Sequence, residues 1–274
     1  MTVMDGLVDA WAVAATLAEI RARRPLIHNI TNLVVTNSTA NALLALGAAP
    51  AMVEGSDEVA DFARISEAVV INLGTMSSPR AAAIRLAVAS AVDAGRPWVM
   101  DPVAVGAIAY RTRLALDLLD FRPTAIRGNA SEVMALAGEA GSGKGVESTA
   151  QSDAAISAAR RLARRTGGAV AVTGVVDYVA DAECLVEIHN GHEMMTRVTG
   201  MGCTATAIVG ACLGVGRDGR TALVHGLTIA GIAGEIAAAR ARGPGSMQME
   251  FLDALYNLSD AELAGRARLV LRAG

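Results

Sequence analysis

The sequence predicts a single α/β domain in which a mostly parallel central sheet is covered by helices on both faces. Its 274 residues suffice for one large domain, and no linker divides them, so we assign residues 1–274 to one domain. Apolar residues make up 53% of the chain and aromatic residues only 3%, which favours a core of small aliphatic side chains. Short β-rich runs alternate with segments of helical length, and this alternation is typical of βαβ units.

Six β-rich runs form the predicted parallel sheet. They cover residues 26–30, 49–53, 68–73, 98–100, 124–127 and 169–173. Segments rich in Ala, with helical length and period, lie between most of them, at residues 38–46, 79–94 and 148–165. Because consecutive parallel strands need a crossover connection, we expect these segments to form the helical layers.

The pattern changes after Tyr178. Residues 178–180 and 184–188 flank the turn sequence Asp181-Ala-Glu183, so they predict a β-hairpin at one edge of the sheet. From Cys203 onward the sequence predicts helices almost throughout.

Composition excludes several classes of protein. A formal net charge of −3 and a pI near 5.8 argue against a nucleic-acid partner. The cysteines, Cys184, Cys203 and Cys212, are too scattered for a disulfide framework or a zinc site, which favours a reducing cytoplasm. No apolar run approaches the roughly 20 residues that a membrane-spanning helix needs, so we expect no membrane partner.

A glycine-rich stretch at residues 138–145 nearly matches the phosphate-binding P-loop pattern. Its last position is Gly145, where a Ser or Thr hydroxyl would have to bind the metal ion. The stretch also follows a predicted helix, whereas a P-loop joins a strand to a helix. We therefore interpret these residues as a surface loop.

The segment from Val198 to Thr206 predicts an anion-binding helix start. Gly200 and Gly202 lie on either side of Met201, Cys203 follows, and a run of small and apolar residues begins there. Glycines at a helix N-terminus leave backbone N–H groups open to an anion. The positive end of the helix dipole also favours a thiolate or a nearby phosphate. A tight turn with a buried cysteine is the alternative interpretation.

Polar residues also cluster where four predicted strands end. Each strand run is followed by side chains that can bind or cap, namely His28 to Asn32, Asp101, Asn129 to Glu132, and Thr173. One such ending could simply cap the next helix. Because ligands of open α/β sheets bind beyond the carboxyl ends of the strands, four endings at one edge favour a functional site.

Seven blocks of sequence resemble the hydroxyethylthiazole kinase family, within the ribokinase-like superfamily, in their order and spacing. The blocks are Pro25-Leu-Ile-His-Asn-Ile-Thr-Asn32, residues 39–52, Ile71-Asn-Leu-Gly-Thr75, residues 101–107, Ile126-Arg-Gly-Asn-Ala-Ser-Glu132, Val172-Thr-Gly-Val-Val-Asp-Tyr178 and Val198-Thr-Gly-Met-Gly-Cys203, with Gly243-Pro-Gly-Ser246 near the end. The resemblance covers nearly the whole chain. It implies a ribokinase-like fold and phosphorylation of the alcohol of 4-methyl-5-(2-hydroxyethyl)thiazole, with ATP as co-substrate and Mg²⁺ as cofactor.

The resemblance also implies roles for individual residues. By position, the thiazole would lie against Met52, Gly200 and Asn29. ATP would be bound by Arg127 and Thr173, and the magnesium region would be served, through water, by Asp101 and Glu132. The anion hole would be formed by Gly200, Met201, Gly202 and Cys203. Cys203 would be the catalytic residue, as a weak base or as a group that only orients the alcohol. The family further implies a homotrimer with sites between subunits.

The sequence departs from the family pattern at one position and leaves three rival functions open. Met201 stands where the family usually has Thr, which leaves the backbone donors intact but puts the fine positioning of the alcohol in doubt. The rivals are a kinase for another small alcohol such as a hydroxymethylpyrimidine, an ATP-dependent dehydratase, and a catalytically silent nucleotide-binding protein. The thiazole-type N-terminal block argues against the first, and Asp101, Glu132 and Cys203 argue against the last.

Overall fold

A nine-stranded sheet runs through the whole molecule. The computed structural model describes residues 8–139 and 149–272, and side chains within that part except those of residues 149–152. The strands are β1 (Leu26–Ile30), β2 (Ala49–Ala51), β3 (Ala68–Asn72), β4 (Trp98–Asp101), β5 (Ala125–Asn129), β6 (Ala169–Thr173), β7 (Asp177–Ala180), β8 (Leu185–Ile188) and β9 (Leu269–Arg272). Their order across the sheet is β2-β1-β3-β4-β5-β6-β7-β8-β9.

Helices cover both faces of the sheet. They are α1 (Ala10–Arg23), α2 (Thr36–Leu46), α3 (Val59–Ile65), α4 (Ser78–Asp93), α5 (Ala109–Leu118), α6 (Ala130–Leu136), α7 (Thr149–Thr166), α8 (Met201–Gly214), α9 (Gly219–Arg240), α10 (Pro244–Asn257) and α11 (Asp260–Arg266). On one face α8 packs on β1, β3 and β4, and α9 packs on β5 to β8. Helices α4, α6 and α7 pack on the other face, and each face has its own apolar core.

The strand order places a ligand-binding crevice near β1. Strands β1 to β6 are parallel, and the antiparallel strands β7, β8 and β9 continue the sheet from β6. From β1 the chain passes to β2 on one side and then returns to β3 on the other. Such a reversal of strand order separates the connecting loops and opens a crevice at the carboxyl ends of the strands.

The predicted α/β architecture and all six predicted parallel strands are confirmed. The run at 49–53 is shorter than predicted and ends at Ala51. The glycine-rich stretch begins at Gly138, directly after α6, but residues 140–145 lie outside the described part of the chain, as does Ser148 at the predicted start of α7.

The prediction that the chain is almost wholly helical after Cys203 is wrong at its end. Residues Leu269–Arg272 form β9, which pairs antiparallel with β8. The predicted hairpin, β7 and β8, therefore does not form the edge of the sheet, because β9 lies outside it. A four-residue strand whose side chains are alternately half-buried and exposed gives too weak a local pattern to be recognised.

Helix α9 is more apolar than the sequence led us to expect. Over an 18-residue window its mean hydropathy is 1.5, which by length and composition would suffice to cross a membrane, and it is the one such helix in the described chain. In the fold, 89% of that window is buried inside the protein. A helix that is apolar all round is also what the core of a layered α/β protein needs.

Candidate active site

Four neighbouring strands deliver polar side chains to one face of the sheet at their carboxyl ends. These side chains belong to Asn72 of β3, Asp101 of β4, Arg127 of β5 and Thr173 of β6. In each strand the residue two positions earlier is apolar and packs in the core beneath α8 and α9. Because successive side chains alternate between faces, all four polar groups point toward these two helices.

The N-terminus of α8 faces the same region. Gly200 caps the helix with a left-handed backbone (φ 85°), and a Cβ atom there would overlap Val35, so this position requires glycine. The N–H groups of Met201, Gly202 and Cys203 have no hydrogen-bond acceptor among residues 8–139 and 149–272. Three free donors at a helix N-terminus form a place where an anion can bind.

A chain of hydrogen bonds connects the helix start to the sheet. Asn32 Nδ2 donates to Cys203 Sγ at 3.3 Å and to Asn72 Oδ1 at 3.0 Å. Asp101 Oδ2 accepts from Asn72 Nδ2 and from Thr206 Oγ1, both at 2.9 Å. Burial raises the pKa of Asp101 to about 6, although these two hydrogen bonds and the nearby Arg127 oppose the rise. Its other oxygen, Oδ1, accepts no hydrogen bond within the described chain, so it stays available to a ligand.

Cys203 is a neutral thiol in this setting. Burial and the charge of Asp101 raise its pKa to about 11. This direction is opposite to the expectation that the helix dipole favours a thiolate, because desolvation and a neighbouring carboxylate both disfavour the charged form. The other half of that expectation, a phosphate near the helix start, stays a prediction.

Arg127 is an arginine without a carboxylate partner. No Asp or Glu oxygen of the described chain lies within 4.0 Å of its guanidinium group, and its Nε is buried without a hydrogen bond. The group lies against the start of α8, since a Cβ at Gly202 would come within 2.6 Å of Nη1. The guanidinium and the three N–H groups bring several hydrogen-bond donors to this corner of the site, where the charge of Arg127 acts on the buried carboxyl groups of Asp101 and Asp177.

The corner of the site around Arg127 opens into a cleft of about 490 Å³. Arg127, Thr173, Asp177, Met201 and Gly202 are among its lining residues. Asp177 accepts the N–H of Gly174 at 3.0 Å, and burial raises its pKa to about 6. Two other cavities lie at the opposite end of the strands, at the amino ends of β4 to β6. Neither is lined by any of the five cleft residues just named.

Glu132 caps α6 and also contributes charge to the site. Its carboxylate accepts the N–H of Asn129 and of Ala104, both at 2.9 Å, while the Asn129 side chain accepts the N–H of Glu132. The capping interpretation of this strand ending is thus confirmed. Glu132 still acts on Asp101, whose pKa it raises, so the two carboxylates repel each other across a short distance.

The donor set at Asp101 and Glu132 fits a magnesium ion held mostly by water and substrate. No group of three or more His, Cys, Asp and Glu side chains that could hold a metal by itself occurs in the described residues. Mg²⁺ commonly uses one or two carboxylates together with phosphate oxygens and water. Two repelling carboxylates, one with a free oxygen, meet that requirement.

Met52 and Asn29 lie on the other side of the crevice. Met52 is half-buried, one residue beyond the β2–β1 pair of Ala51 with His28, so the strand register places it beside Asn29. Asn29 is buried; its Nδ2 donates to Ile27 O, while Oδ1 has no partner within the described part. No hydrogen bond in that part connects either residue to the Asp101 network.

Three site residues are not recognisable from the sequence alone. Asn72 and Thr206 bond within the Asp101 network, and Asp177 lines the cleft. The available signal at Asn72 was an amide that ends a fully apolar strand. Its role becomes visible only once the fold places Asn32 and Asp101 beside it.

Comparison with known proteins agrees with this geometry. Residues 17–261 match the family model described as the hydroxyethylthiazole kinase family. A hydroxyethylthiazole kinase from Granulibacter bethesdensis is 63% identical, covering 97% of this chain and 98% of that protein. The structure of a hydroxyethylthiazole kinase protein from Pyrococcus horikoshii has a TM-score of 0.88 at 38% identity, covering 95% and 98% of the two chains. A ribokinase-like superfamily protein from Enterococcus faecalis shares the fold alone, with a TM-score of 0.60 at 10% identity and coverage of 86% and 87%.

Proposed function

The chain belongs to the hydroxyethylthiazole kinase family, and on this premise we propose that its strand-end site phosphorylates the primary alcohol of 4-methyl-5-(2-hydroxyethyl)thiazole in thiamine salvage, with ATP as the phosphoryl donor. One observation supports this most strongly. An unpaired arginine, three free N–H groups and a buried carboxylate converge beside one cleft. Phosphoryl transfer requires little beyond such positioning and neutralisation of charge.

The cleft side of the site binds ATP in this proposal. Arg127 presents a planar fork to phosphate oxygens, which match its geometry better than they match a lysine. Thr173 ends the neighbouring strand, where it pairs with Asn129, and its hydroxyl donates to Gly128 O at 3.3 Å. The volume of about 490 Å³ is in the usual range for a small-molecule cofactor site.

The start of α8 stabilises charge during transfer. The N–H groups of Met201, Gly202 and Cys203 are fixed by the helix, so they need no reorganisation as negative charge develops on the transferred group. Since these donors belong to the backbone, Met201 can occupy the position between the two glycines without removing any of them. Gly200 brings the chain close enough for the substrate alcohol to lie beside the helix.

Asp101 and Glu132 hold the divalent cation, which we propose to be Mg²⁺, through water. When bound, the ion supplies neutralisation of the phosphate charge. Asp101 Oδ1 accepts no hydrogen bond within the described chain and is free to accept one from such a water, while Oδ2 is fixed by Asn72 and Thr206. Glu132 is held rigidly by its two backbone hydrogen bonds.

The thiazole lies on the side of β1 and β2. Met52 offers an adaptable apolar side chain beside the ring. Asn29 has a buried oxygen without a hydrogen-bond donor within the described chain. Such an oxygen destabilises the folded protein, and a ligand that donates a hydrogen bond to it removes this cost. His28 supports this side from the opposite face of β1, because its Nε2 contacts Val53 O at 2.8 Å and fixes the backbone next to Met52.

Cys203 orients the alcohol and does not act as a strong base. A thiol with a pKa of about 11 stays protonated at neutral pH, and Asn32 fixes its sulfur. We expect Cys203→Ala to slow single-turnover phosphorylation by less than about 100-fold, the lower end of what general-base catalysis contributes. Cys212→Ala, a buried cysteine on the same helix, is the control and should keep the parent rate. A loss well above that limit for Cys203→Ala would assign the thiol to proton transfer.

One experiment separates the function from its rivals. The purified protein is supplied with ATP, Mg²⁺ and a panel of small alcohols, and the products are identified by mass spectrometry. We expect a stable phosphate ester of hydroxyethylthiazole. A faster reaction with hydroxymethylpyrimidine, a dehydrated product, or no turnover with any alcohol would each favour one of the rival functions instead.

We further propose that the protein is a homotrimer with its sites between subunits, in the cytoplasm. Leu33 and Val34 directly follow Asn32 of the site, yet they are 65% and 63% exposed, and Leu44 on α2 is 60% exposed. Contiguous exposed apolar side chains at a binding site mark an interaction surface. The scattered free cysteines fit a reducing compartment.

Replacing Leu33 by Asp should dissociate the assembly and abolish most of the activity. A buried, unpaired charge at an interface is strongly unfavourable. Sedimentation velocity should show a trimer for the parent and for the control Ile65→Asp, since Ile65 is equally exposed but lies at the end of α3. A parent protein that sediments as an active monomer would contradict the proposal.

A further inference from the structure

One face of α9 is shaped to receive the segment that follows β8. Gly231, Gly234 and Glu235 lie three and four positions apart and so share this face. A Cβ at Gly231 would come within 2.8 Å of Asn190 Cβ and 2.9 Å of its carbonyl carbon, and a Cβ at Gly234 would overlap the Met195 side chain. The two glycines therefore let residues 190–195 lie directly on the helix.

Glu235 fixes the same segment by hydrogen bonds. Its Oε1 accepts from Asn190 Nδ2 at 3.0 Å and from the N–H of Gly191 at 2.9 Å. Arg268 Nη2 donates to the same oxygen at 2.6 Å. The Glu235 side chain is only 14% exposed, so these hydrogen bonds to a charged acceptor are largely shielded from water.

Arg266 and Arg268, which precede β9, also hold residues 189 and 190. The N–H of Arg268 donates to Asn190 Oδ1 at 2.9 Å, and Asn190 Nδ2 also donates to Arg266 O at 2.9 Å. The Arg268 side chain donates to His189 O, from Nε at 3.0 Å and from Nη2 at 2.6 Å. Asn190 is thereby nearly fully buried, with all of its side-chain polar atoms bonded.

The segment held in this way is one wall of the cleft that contains Arg127 and Thr173. Asn190, Gly191 and Met195 line that cleft, whereas Glu235 does not. Glu235 therefore acts on the cleft only through the segment that it fixes.

We propose that Gly231, Gly234 and Glu235 form a platform that positions residues 189–195 as the wall of the nucleotide-binding cleft, which makes Glu235 a positioning residue for ATP. This inference rests on the proposed function, because that function assigns the cleft to the nucleotide. Residues on the thiazole side, Met52 and Asn29, do not line this cleft.

The test separates the two substrates. For Glu235→Ala we expect the KM for ATP and the Kd for ADP, measured by calorimetry, to rise about tenfold, the effect of losing one charge-assisted anchor. The KM for hydroxyethylthiazole should change by less than about twofold, because its side of the site is untouched. Glu235→Gln keeps an acceptor oxygen and should recover much of the ADP affinity.

A glycine pair provides the matched control. Gly234→Ala inserts a methyl group against the Met195 side chain, and Gly234 does not itself line the cleft, so this variant should weaken ADP binding. Gly265→Ala in α11, where a Cβ meets nothing within 4 Å, should not. If Glu235→Ala does not fold, Gly234→Ala decides by the same ADP affinity.

Two results would overturn the platform. One is an unchanged ADP affinity in Glu235→Ala and Gly234→Ala, and the other is an equal rise in both KM values, which would indicate general loosening. A parent protein that binds no ATP or ADP would instead overturn the assignment of the cleft.

Discussion

Asp101→Asn should nearly abolish phosphorylation while leaving the fold intact. The Asn oxygen can replace Oδ2 as the acceptor for Asn72 and Thr206, so the network survives. The amide then presents an N–H₂ group where Oδ1 was, and it removes the negative charge that the cation and the reacting alcohol require. We expect kcat/KM to fall by about 10²–10³-fold, the range for loss of one group that stabilises transition-state charge.

The same variant should be at least as stable as the parent. Burial raises the pKa of Asp101 to about 6, so the charged carboxylate destabilises the fold above pH 6 and ceases to do so as the pH falls toward 4. Thermal melting in chelator should therefore show an equal or higher Tm for Asp101→Asn at pH 7, with the difference shrinking at pH 4.5. Asp117→Asn, an exposed carboxylate on α5, is the control for both measurements. Parent-like turnover in Asp101→Asn would remove Asp101 from the mechanism.

Arg127→Ala should weaken the use of ATP far more than the binding of thiazole. Its guanidinium has no carboxylate oxygen within 4.0 Å in the described chain, which argues against the alternative of an ordinary surface salt bridge. Loss of a hydrogen bond between charged groups costs about 1.5–3 kcal/mol. We therefore expect kcat/KM for ATP to fall by about 10- to 150-fold, with the KM for thiazole nearly unchanged.

Two further arginine variants serve as comparisons for the kinetics of Arg127→Ala. Arg127→Lys keeps the charge but loses the planar fork, so it should give an intermediate rate. Arg165→Ala removes an exposed arginine paired with Asp120, an interaction worth at most about 1 kcal/mol, and it should leave the kinetics unchanged. An Arg127→Ala enzyme with the parent KM and turnover for ATP would contradict the assignment.

The parallel part of the sheet was predictable because most of its strands are buried on both faces, although β2 is only half-buried. A strand such as β3, with all five residues buried, leaves an apolar run that local sequence reveals. The polar residues that end such runs then fall at one edge, so the positions of Asp101, Arg127 and Thr173 followed from the chain. The first turn of α8 was equally visible, because its glycines stand together.

What the sequence could not show depends on contacts between distant segments. Asn72 matters because Asn32, 40 positions earlier, and Asp101, 29 positions later, bond to it. The state of the Cys203 thiol depends on the buried charge of Asp101 from another strand, whereas the local helix dipole predicted the opposite. Glu235 is part of an apolar helix, and its role follows only from the loop and the last strand packed on it.

The late position of β9 bears on how the protein is synthesised. Asn190 is held by residues 76 and 78 positions further along the chain. At about 5–20 residues per second, translation of that interval takes roughly 4–16 seconds, during which the outer edge of β8 stays unpaired on the ribosome. An open strand edge can pair with another nascent chain. The yield of active enzyme is therefore expected to depend on elongation rate and on chaperones that shield that edge, even though β9 pairs with β8 in the folded protein.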